Sequence, residues 1–397
     1  MSNILYLTRT GLLEPLGQSQ VLAYLKGLSR DHQITVVSYE REGDLADTDL
    51  VRHIEAECRG RGITWVRKRY RSRPRRIAAL WNLVELFWTT LVLSRRRGVD
   101  LIHARSYIPA ASAWLVHKLT DVPFIFDMRS LWAEELVTSN RARRGSFIHR
   151  AIVGMEKRML RDASIIVSLT RAGADWLARE HADVFDQSKL RVIPTCTDTD
   201  RFVPLDAANG PGLLVGCHGS ILSGWFRPDL LRRCFAHIAA VRPDAHFEIV
   251  TRENPDDILK ALDGAPGFSD RLEIYSSVAG TIHEVLPRQD LSVFFYASGA
   301  ASELGRSPTR MGEALSCGVP ILANGQIGDV EMIARQYNVG VIMSGEPGAE
   351  LRDAVVRALR LTSDLEIGQR CRNAAEDYYS LEAGTAKLAA IYSDIAA

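Results

Sequence analysis

The chain has 397 residues, of which 46% are hydrophobic and 24% are charged. These values are ordinary for globular domains and exclude intrinsically disordered, collagen-like and low-complexity proteins. The formal net charge of +1 hides an asymmetry, because residues 1–190 carry a net +9 and residues 191–397 a net −8. The length favours two domains, and each half is long enough to bury a core of its own.

The six cysteines form no CxxC pair, which excludes a zinc or disulfide framework and favours reduced thiols in a cytoplasmic protein. The segment Met1–Thr8 has no basic region followed by an apolar stretch, so we expect no secretory signal. The apolar run Ile77–Ser94 has the minimum length of a membrane span, but Asn82 and Glu85 interrupt it. Its apolar residues follow helical spacing, and we predict a largely buried helix rather than a spanning one.

Short β-branched runs alternate with amphipathic stretches, which predicts parallel sheets with helices on both faces. In the first half the predicted strands are Ile4–Thr8, Ile34–Tyr39, Ile63–Arg67, Leu101–Ala104, Phe124–Met128, Ser164–Leu169 and Leu190–Ile193. The clearest predicted helices between them are Ser19–Leu28, Ala110–Leu119 and Phe147–Leu160.

The alternation pauses at Pro194–Gly212, where prolines and glycines cluster, and then resumes. The predicted strands of the second half are Leu213–Cys217, Phe247–Val250, Leu272–Tyr275, Leu291–Tyr296, Pro320–Ala323 and Val339–Met343. We therefore expect an α/β protein with two doubly wound, Rossmann-like domains, residues 1–200 and 201–375. A C-terminal helix in 376–397 is expected to pack back on the first domain. Ligands of such sheets bind beyond the carboxyl ends of the strands, so the cleft that the domains face is the expected site.

One strand-to-helix junction carries the most chemical information. Ser307 followed by Pro308 predicts a helix start, with Ser307 as N-cap and Pro308 as the first helical residue. The helix N-terminus, with Arg306 and Arg310 beside it, suits a diphosphate. The Glu313 carboxylate lies where it can accept hydrogen bonds from two ribose hydroxyls. An ordinary capped helix with a solvated Glu313 explains the same residues equally well.

The segment SPTRMGEALSCGVPILANGQIGDV, which starts at Ser307, resembles the donor-binding motif of family 4 retaining glycosyltransferases, in a subgroup with an SPTK/R…E pattern. Other stretches resemble that family in the same order along the chain: GLLEPLGQSQVLAYLKGLSRDHQITVVS, DLIHARSYIPAASAWL, VPFIFDMRSLWAEEL, VIPTCTDTDRFVP and VGCHGSI. The resemblance spans about residues 3–345. It implies the two-domain GT-B fold, with an acceptor-side N-terminal domain and a C-terminal domain that binds the nucleotide sugar.

The resemblance also implies roles for individual residues. It places Gly17 in the loop that approaches the donor's phosphate and sugar, and Glu313 at the ribose. The amides around Ser307 and Thr309 would meet the diphosphate or the sugar hydroxyls. The donor-binding candidates are Gly17, Gly219, Ser220, Arg306, Ser307, Thr309, Arg310 and Glu313.

Two departures from the family pattern lie in the donor half. Gly305 stands where the family often has a Glu that contacts the transferred sugar, and Glu303 is two residues out of register. The family's Arg and Lys after the first strand of this domain fall near Ser220 and Trp225. Three arginines are candidates to replace those cations: Arg227, Arg306 and Arg310.

The third departure concerns the catalytic candidates His103, Arg105 and Arg129. The family's H-x-H pattern reads His103-Ala-Arg105 here, and Arg129 follows a strand in FDMRSLW. His103 is equally well explained as a core histidine. Arg129 is equally well explained by a structural ion pair with Asp127 or Glu134.

In such enzymes the leaving group is a nucleoside diphosphate, so the protein must neutralise growing phosphate charge and orient the acceptor. We expect Arg306 and Arg310 on one wall of the site and Arg105 and Arg129 on the other. The sequence shows no zinc-ligand set, P-loop or nucleophilic triad. We predict metal-independent chemistry with no cofactor, and a UDP-sugar rather than a GDP-sugar as donor.

Residues 58–99 contain twelve basic side chains and one acid, Glu85, around a helix with Trp81, Phe87 and Trp88. The basic residues are 59, 61, 67, 68, 69, 71, 73, 75, 76, 95, 96 and 97. Segment 59–97 could dock on an anionic membrane surface, as the resemblance supports, which would make the protein peripheral on the inner membrane face. A solvated basic loop is the alternative, and nucleic-acid binding is disfavoured because no recognition fold accompanies the charge.

Three functions follow from the sequence. The leading one is a retaining glycosyltransferase of the hexosyltransferase type that acts on a hydroxyl acceptor, either a lipid-linked saccharide for surface polysaccharide or a natural product. The second is another GT-B reaction, a pseudo-glycosyl transfer or an epimerisation. The third is a catalytically silent subunit that binds a partner or a membrane. Gly305 and the absence of the family's two cations from their usual positions are consistent with this third function.

Overall fold

The structure is a computed structural model that describes residues 1–72, 74–96, 98–205, 212–276, 281–343 and 349–396, without the side chains of 75–77, 79, 80, 349 and 396. The chain divides into two compact units. Met1–Pro194 and Leu381–Ala397 form the N-terminal unit, and Thr195–Ser380 form the C-terminal unit.

The N-terminal unit contains a parallel sheet of seven strands in the order β3-β2-β1-β4-β5-β6-β7. Its strands are β1 (Asn3–Leu7), β2 (Gln33–Glu40), β3 (Thr64–Arg69), β4 (Leu101–Arg105), β5 (Phe124–Met128), β6 (Ile165–Ser168) and β7 (Leu190–Val192). The central strand β4 and its neighbour β5 are buried along their whole length, as expected for a parallel sheet covered on both faces.

Helices cover both faces of this sheet and include the last helix of the chain. They are α1 (Pro15–Gly17), α2 (Ala23–Leu28), α3 (Glu42–Ala46), α4 (Thr48–Gly60), α5 (Arg75–Arg96), α6 (Tyr107–Thr120), α7 (Trp132–Thr138), α8 (Phe147–Asp162), α9 (Arg171–Glu180) and α18 (Leu381–Ala396). A π-helical turn, Gln18–Leu22, joins α1 to α2. Helix α18 packs against α2 and therefore belongs to the N-terminal unit.

Helix α5 buries one face and exposes the other, so the prediction of a largely buried helix is wrong for half of its surface. Leu86 and Thr90 are buried, whereas Trp81 and Trp88 are 50% and 57% exposed. The buried face includes the polar Thr90 as well as Leu86, so the helix can pack although polar residues interrupt its apolar run. Among the described residues, no helix is both long and apolar enough to cross a bilayer.

Part of the predicted basic segment cannot be placed on this helix or beside it. Arg73 and Arg97 lie outside the described residues, as do the side chains of Arg75 and Arg76. Of the remaining basic residues, Arg61 and Arg71 lie in the segments that follow α4 and β3. The others lie in α4 (Arg59), in the edge strand β3 (Arg67, Lys68 and Arg69) and in the last turn of α5 (Arg95 and Arg96).

The C-terminal unit contains a second parallel sheet, of six strands in the order β10-β9-β8-β11-β12-β13. Its strands are β8 (Leu213–His218), β9 (Ala245–Val250), β10 (Leu272–Tyr275), β11 (Leu291–Phe294), β12 (Ile321–Asn324) and β13 (Gly340–Met343). Its helices are α10 (Pro228–Val241), α11 (Pro255–Ala261), α12 (Ile282–Val285), α13 (Ala301–Leu304), α14 (Thr309–Ser316), α15 (Val330–Tyr337), α16 (Ala349–Leu361) and α17 (Ile367–Ala374).

The alternating pattern of the sequence therefore predicts both sheets. Each of the thirteen predicted strands overlaps one observed strand, and the order of strands shows two doubly wound, Rossmann-like domains. The Pro- and Gly-rich pause falls at the boundary between Pro194 and Thr195. Within that pause, residues 206–211 lie outside the described residues.

Candidate active site

A buried carboxylate organises the loop that follows the first strand of the N-terminal unit. Glu40, the last residue of β2, is fully buried, and its two oxygens accept hydrogen bonds from the Leu12 and Leu13 amides at 2.9 and 3.1 Å. The Ser38 hydroxyl also donates to it. Burial raises the pKa of Glu40 above its usual value, even though these three hydrogen bonds favour the charged form.

Gly17 is the last residue of the short helix α1, which follows this loop. A Cβ atom on Gly17 would come within 1.7 Å of the Gly11 carbonyl oxygen, so no larger residue fits unless the backbone moves. The close approach of the two backbone segments explains the glycine without any appeal to a ligand. Its predicted contact with the donor stays a prediction.

The three catalytic candidates meet at one buried carboxylate, Asp127 in β5. Its oxygens lie 3.4 Å from His103 Nε2, 3.6 Å from Arg105 Nη1 and 3.4 Å from Arg129 Nη1. Burial alone would raise the pKa of Asp127, but Arg129, His103 and Arg105 hold it well below its usual range. Of the two ion-pair partners foreseen for Arg129, Asp127 is the observed one.

His103 is 1% exposed, and both of its ring nitrogens have partners. Burial lowers the pKa of His103 and raises that of Tyr392 well above its usual value, so the ring is neutral and the phenol keeps its proton. The Tyr392 hydroxyl, 2.7 Å away, donates to Nδ1, and Nε2–H points to the ionised Asp127. With a neutral His103, two guanidinium groups and one carboxylate leave this cluster one positive charge.

In the C-terminal unit, Arg310 supports the loop that follows the first strand. Its guanidinium is stacked between the rings of Phe226 and Tyr296, at 5.0 and 5.3 Å, and donates to the Ser220 carbonyl at 3.0 Å. Gly219 has a φ of +89°, and a Cβ atom there would lie 2.8 Å from Arg310 Nη2. Arg310 is therefore buried beneath the loop.

A second carboxylate, Glu253, holds the same loop from the other side. It accepts hydrogen bonds from the Ile221 and Leu222 amides at 2.6 and 3.0 Å and from the hydroxyls of Ser220 and Thr251. Burial alone would raise the pKa of Glu253, but the hydrogen bonds from Ser220 and the two amides outweigh it and lower that pKa.

Glu313, the predicted ribose ligand, is oriented by a histidine. Its Oε2 lies 3.1 Å from Nε2 of His218, the last residue of β8. The His218 side chain is 4% exposed and that of Glu313 is 19% exposed, so the carboxylate still reaches solvent. The arrangement leaves a fixed acceptor group at the carboxyl end of the central strand.

The expected N-cap at Ser307 is wrong. Helix α14 begins at Thr309, with Pro308 at the capping position and no side-chain cap. The Ser307 hydroxyl is instead 2.9 Å from the Thr195 hydroxyl. The Thr195 hydroxyl also donates a hydrogen bond to the Ser307 carbonyl at 2.7 Å. These bonds to Thr195 draw the Ser307 side chain away from the helix amides, while Thr309 stays half-buried in the first turn.

The arginines proposed as replacement cations have partners within the C-terminal unit. Arg306 Nε is 2.6 Å from the carboxylate of Glu303, which is fully buried, and Arg306 stacks on Trp225 at 5.0 Å. Arg227 is paired with Asp229 at 2.7 Å. The Glu303 that lies out of register in the sequence is thus the acid that anchors Arg306.

Several residues of these sites were not identified from the sequence, among them Glu40, Thr195, His218 and Glu253. Glu40 and His218 each end an apolar strand with a polar residue, which is a readable signal of a group placed at the carboxyl edge of a sheet. Within the described ranges, no three His, Cys, Asp or Glu side chains are grouped as metal ligands. Metal independence stays a prediction.

The sequence comparisons assign the N-terminal region to a known domain family. Residues 17–196 match the family model of the glycosyl transferase 4-like domain. No curated protein matches the chain.

Solved structures resemble the chain over its whole length. A glycosyltransferase from Rickettsia africae has a TM-score of 0.70 at 14% identity, with 99% of this chain and 98% of that chain covered. Sucrose-phosphate synthase from Thermosynechococcus elongatus gives 0.72 at 13%, covering 100% and 99%. HepE from Anabaena, solved with UDP and glucose, gives 0.68 at 15%, covering 99% and 100%. The chain therefore has the two-domain GT-B fold of these structures, and its residues 17–196 match a glycosyl transferase 4-like domain.

Proposed function

We propose that the protein is a retaining glycosyltransferase that moves a sugar from a UDP-sugar to a hydroxyl acceptor. The observation that carries this proposal is Glu313, a partly exposed carboxylate fixed by His218 at the carboxyl end of β8. Such a group is suited to two vicinal ribose hydroxyls, which donate hydrogen bonds to carboxylate oxygens. The glycosyl transferase 4-like domain and the UDP in the HepE structure support the same reading.

The reaction needs one bond to form and one to break at the anomeric carbon. The acceptor oxygen bonds to that carbon on the face from which the diphosphate departs, and the bond from carbon to the diphosphate oxygen breaks. The acceptor proton passes to the departing diphosphate, so no external base is required. The protein's contribution is positioning and charge neutralisation, for which we propose Arg306 and Arg310 near the donor and Arg105 and Arg129 near the acceptor.

Nucleotide binding tests the donor assignment at the lowest cost. A ligand that binds the folded state raises the melting temperature by mass action, and we expect UDP and UDP-sugars to do so more than GDP or ADP. If no nucleotide stabilises the protein, the transferase assignment falls and a silent binding subunit takes its place. Product analysis by NMR tests the reaction: transfer with the donor's anomeric configuration is expected, and an epimerised UDP-sugar formed without acceptor would identify the second reaction class.

We also propose that the N-terminal unit docks on an anionic membrane surface. Trp81, Val84, Trp88 and Val92 are 40–57% exposed and recur at helical spacing on one face of α5. Arg95 and Arg96 at the end of the same helix are exposed. Exposed aromatic residues beside cations suit the boundary between headgroups and acyl chains. Flotation with vesicles tests this, and equal binding to neutral and anionic vesicles would remove the electrostatic part.

A further inference from the structure

A polar cavity of the N-terminal unit lies at the carboxyl ends of β1, β2 and β3. Its volume is about 880 Å³, and Arg9, Tyr39 and Tyr70 line it together with the loops that follow these strands. The Glu40 carbonyl accepts the Tyr70 amide at 2.8 Å, so the same residue that fixes the loop after β1 also fixes this wall. The cavity is thus built on ordered backbone.

Four arginines and two glutamates line this cavity, and the glutamates are already neutralised. Arg41 pairs with Glu14 at 3.1 Å, and Arg69 pairs with Glu42 at 2.5 Å. Arg9 and Arg71 also line the cavity, and neither has a carboxylate within ion-pair distance among the described residues. Two positive charges are therefore left for a ligand.

Aromatic rings hold these two guanidinium groups in place. Arg9 Nη2 donates to the Tyr70 hydroxyl at 3.2 Å, and its guanidinium lies 5.5 Å from that ring. Arg71 lies 4.6 Å from the ring of Trp81, and its carbonyl accepts a hydrogen bond from the Asn82 side chain at 2.9 Å. Because the arginines are held before a ligand arrives, less conformational entropy is lost on binding.

Arg71 links this cavity to the exposed apolar face of α5, because its guanidinium lies over the Trp81 ring. Trp81, which stacks on Arg71, is the first residue of the exposed row that continues through Val84, Trp88 and Val92. A ligand with its anionic group at Arg9 and Arg71 therefore has an apolar surface directly beside it. Two fixed guanidinium groups suit a phosphate, and the apolar row suits a hydrocarbon chain.

We propose that the acceptor is a lipid that carries a phosphate, with Arg9 and Arg71 binding the phosphate and the exposed face of α5 contacting the lipid chain. The inference rests on the proposed function, since it names the acceptor class of that reaction. A soluble sugar phosphate shares the first contact but not the second, so the two contacts can be tested separately.

The experiment uses the full chain and two probes that share one phosphate chemistry. Calorimetry with glycerol 3-phosphate measures the phosphate contact alone, and calorimetry with a short-chain phosphatidic acid, kept monomeric, measures both contacts. We expect the lipid to bind roughly tenfold or more tightly than glycerol 3-phosphate, because it also buries apolar surface. Equal affinities would overturn the lipid assignment and leave a soluble phosphorylated acceptor.

Variants assign each contact to its residues. Arg9→Gln with Arg71→Gln is expected to weaken both probes by roughly 50-fold or more, because two charge-assisted contacts are lost. Arg69→Gln with Glu42→Gln removes a neutral pair from the same cavity and is the matched control, with affinities within about threefold. Trp88→Ser with Val92→Ser should weaken only the lipid. Retained binding in the Arg9 and Arg71 variant, with an unchanged melting temperature, would overturn the phosphate site.

Titration of UDP on the same proteins separates this inference from the proposed function. If UDP binds but neither phosphate probe does, the acceptor inference falls and the transferase assignment stands. If the phosphate probes bind in the arginine-dependent way and UDP does not, the transferase assignment falls and the cavity remains a phosphate-lipid site.

Discussion

In both units, a carboxylate binds the amides of the loop that follows the first strand, but the two carboxylates differ in burial. In each, a carboxylate accepts hydrogen bonds from two consecutive amides of the loop after the first strand: Glu40, the last residue of β2, from Leu12 and Leu13, and Glu253, three residues after β9, from Ile221 and Leu222. Glu40 is fully buried, whereas Glu253 is partly exposed. The pKa of Glu40 is raised and that of Glu253 is lowered.

Similar pairs of amide hydrogen bonds thus accompany pKa shifts of opposite direction at different depths of burial. Where the carboxylate is buried, desolvation determines the direction of its pKa shift, and no water can replace it as the acceptor of the loop amides. Where solvent reaches the carboxylate, its hydrogen bonds determine the direction of the pKa shift, and water can replace it as an acceptor. The loop of the N-terminal unit should therefore be the more rigid and the more easily destroyed by mutation.

The largest effect is expected from Glu40→Ala. Two buried amides lose their acceptor at roughly 2 kcal/mol each, so the N-terminal unit should lose about 4 kcal/mol of unfolding free energy. Urea unfolding measures the loss, and hydrogen exchange should report faster exchange at Leu12 and Leu13. Glu40→Gln keeps one acceptor oxygen and should cost about half as much. A loss no larger than that of a surface substitution would show that the loop does not depend on Glu40.

Alanine at the loop glycines comes next and should also distinguish the units. Gly17→Ala places Cβ against the Gly11 backbone and should cost about 3 kcal/mol, because one of the two backbone segments must shift. Gly219→Ala meets only the far end of the Arg310 side chain and should cost about 1 kcal/mol, largely from its positive φ. Thermal unfolding of the two variants compares them. The reverse order would contradict the rigidity assigned to the loop of the N-terminal unit.

Glu253→Ala should cost less than Glu40→Ala, about 1 to 2 kcal/mol, because Glu253 is partly exposed and water can reach the amide of the exposed Leu222. The same urea titration that measures Glu40→Ala measures this variant, with Glu253→Gln as its matched control. An equal loss in the two alanine variants would remove the contrast between buried and exposed carboxylates.

The smallest effect is a pH dependence of opposite sign. The raised pKa of Glu40 adds stability that is present below its unfolded value of 4.5 and is lost as the pH rises through the folded value. The lowered pKa of Glu253 adds stability that is present above 4.5 and is lost as the pH falls. Replacing Glu40 with Gln should therefore cost more at acid pH, and replacing Glu253 with Gln should cost more at neutral pH. Parallel slopes would contradict the assigned shifts.

The sheets were predictable because strand periodicity is a local property of the sequence. Every predicted strand has an observed counterpart, since β-branched runs between polar turns have few other ways to bury their side chains. Helix α5 shows the limit: its spacing predicts a helix, but which faces are covered depends on distant elements. Trp81 and Trp88 are half exposed for that reason.

Side-chain partners in the sites were less predictable, because they depend on contacts between segments far apart in sequence. Ser307 looks like a helix cap until Thr195, 112 residues away, is placed beside it. The sequence places Arg310 beside the helix N-terminus, but it does not reveal that the guanidinium stacks on Phe226 and Tyr296. The resemblance implies that Glu313 binds the donor's ribose, but it does not reveal His218, which orients the Glu313 carboxylate.

The affinity of the C-terminal unit's site for UDP tests the central claim most directly. Calorimetry with the full chain should show UDP binding to the wild type and roughly tenfold or weaker binding to Glu313→Ala, because the ribose hydroxyls lose their acceptor. Glu273→Gln, an exposed glutamate on the edge strand β10, is the control and should bind as the wild type does. Equal affinity in the Glu313 variant, or no UDP binding by the wild type, would contradict the account.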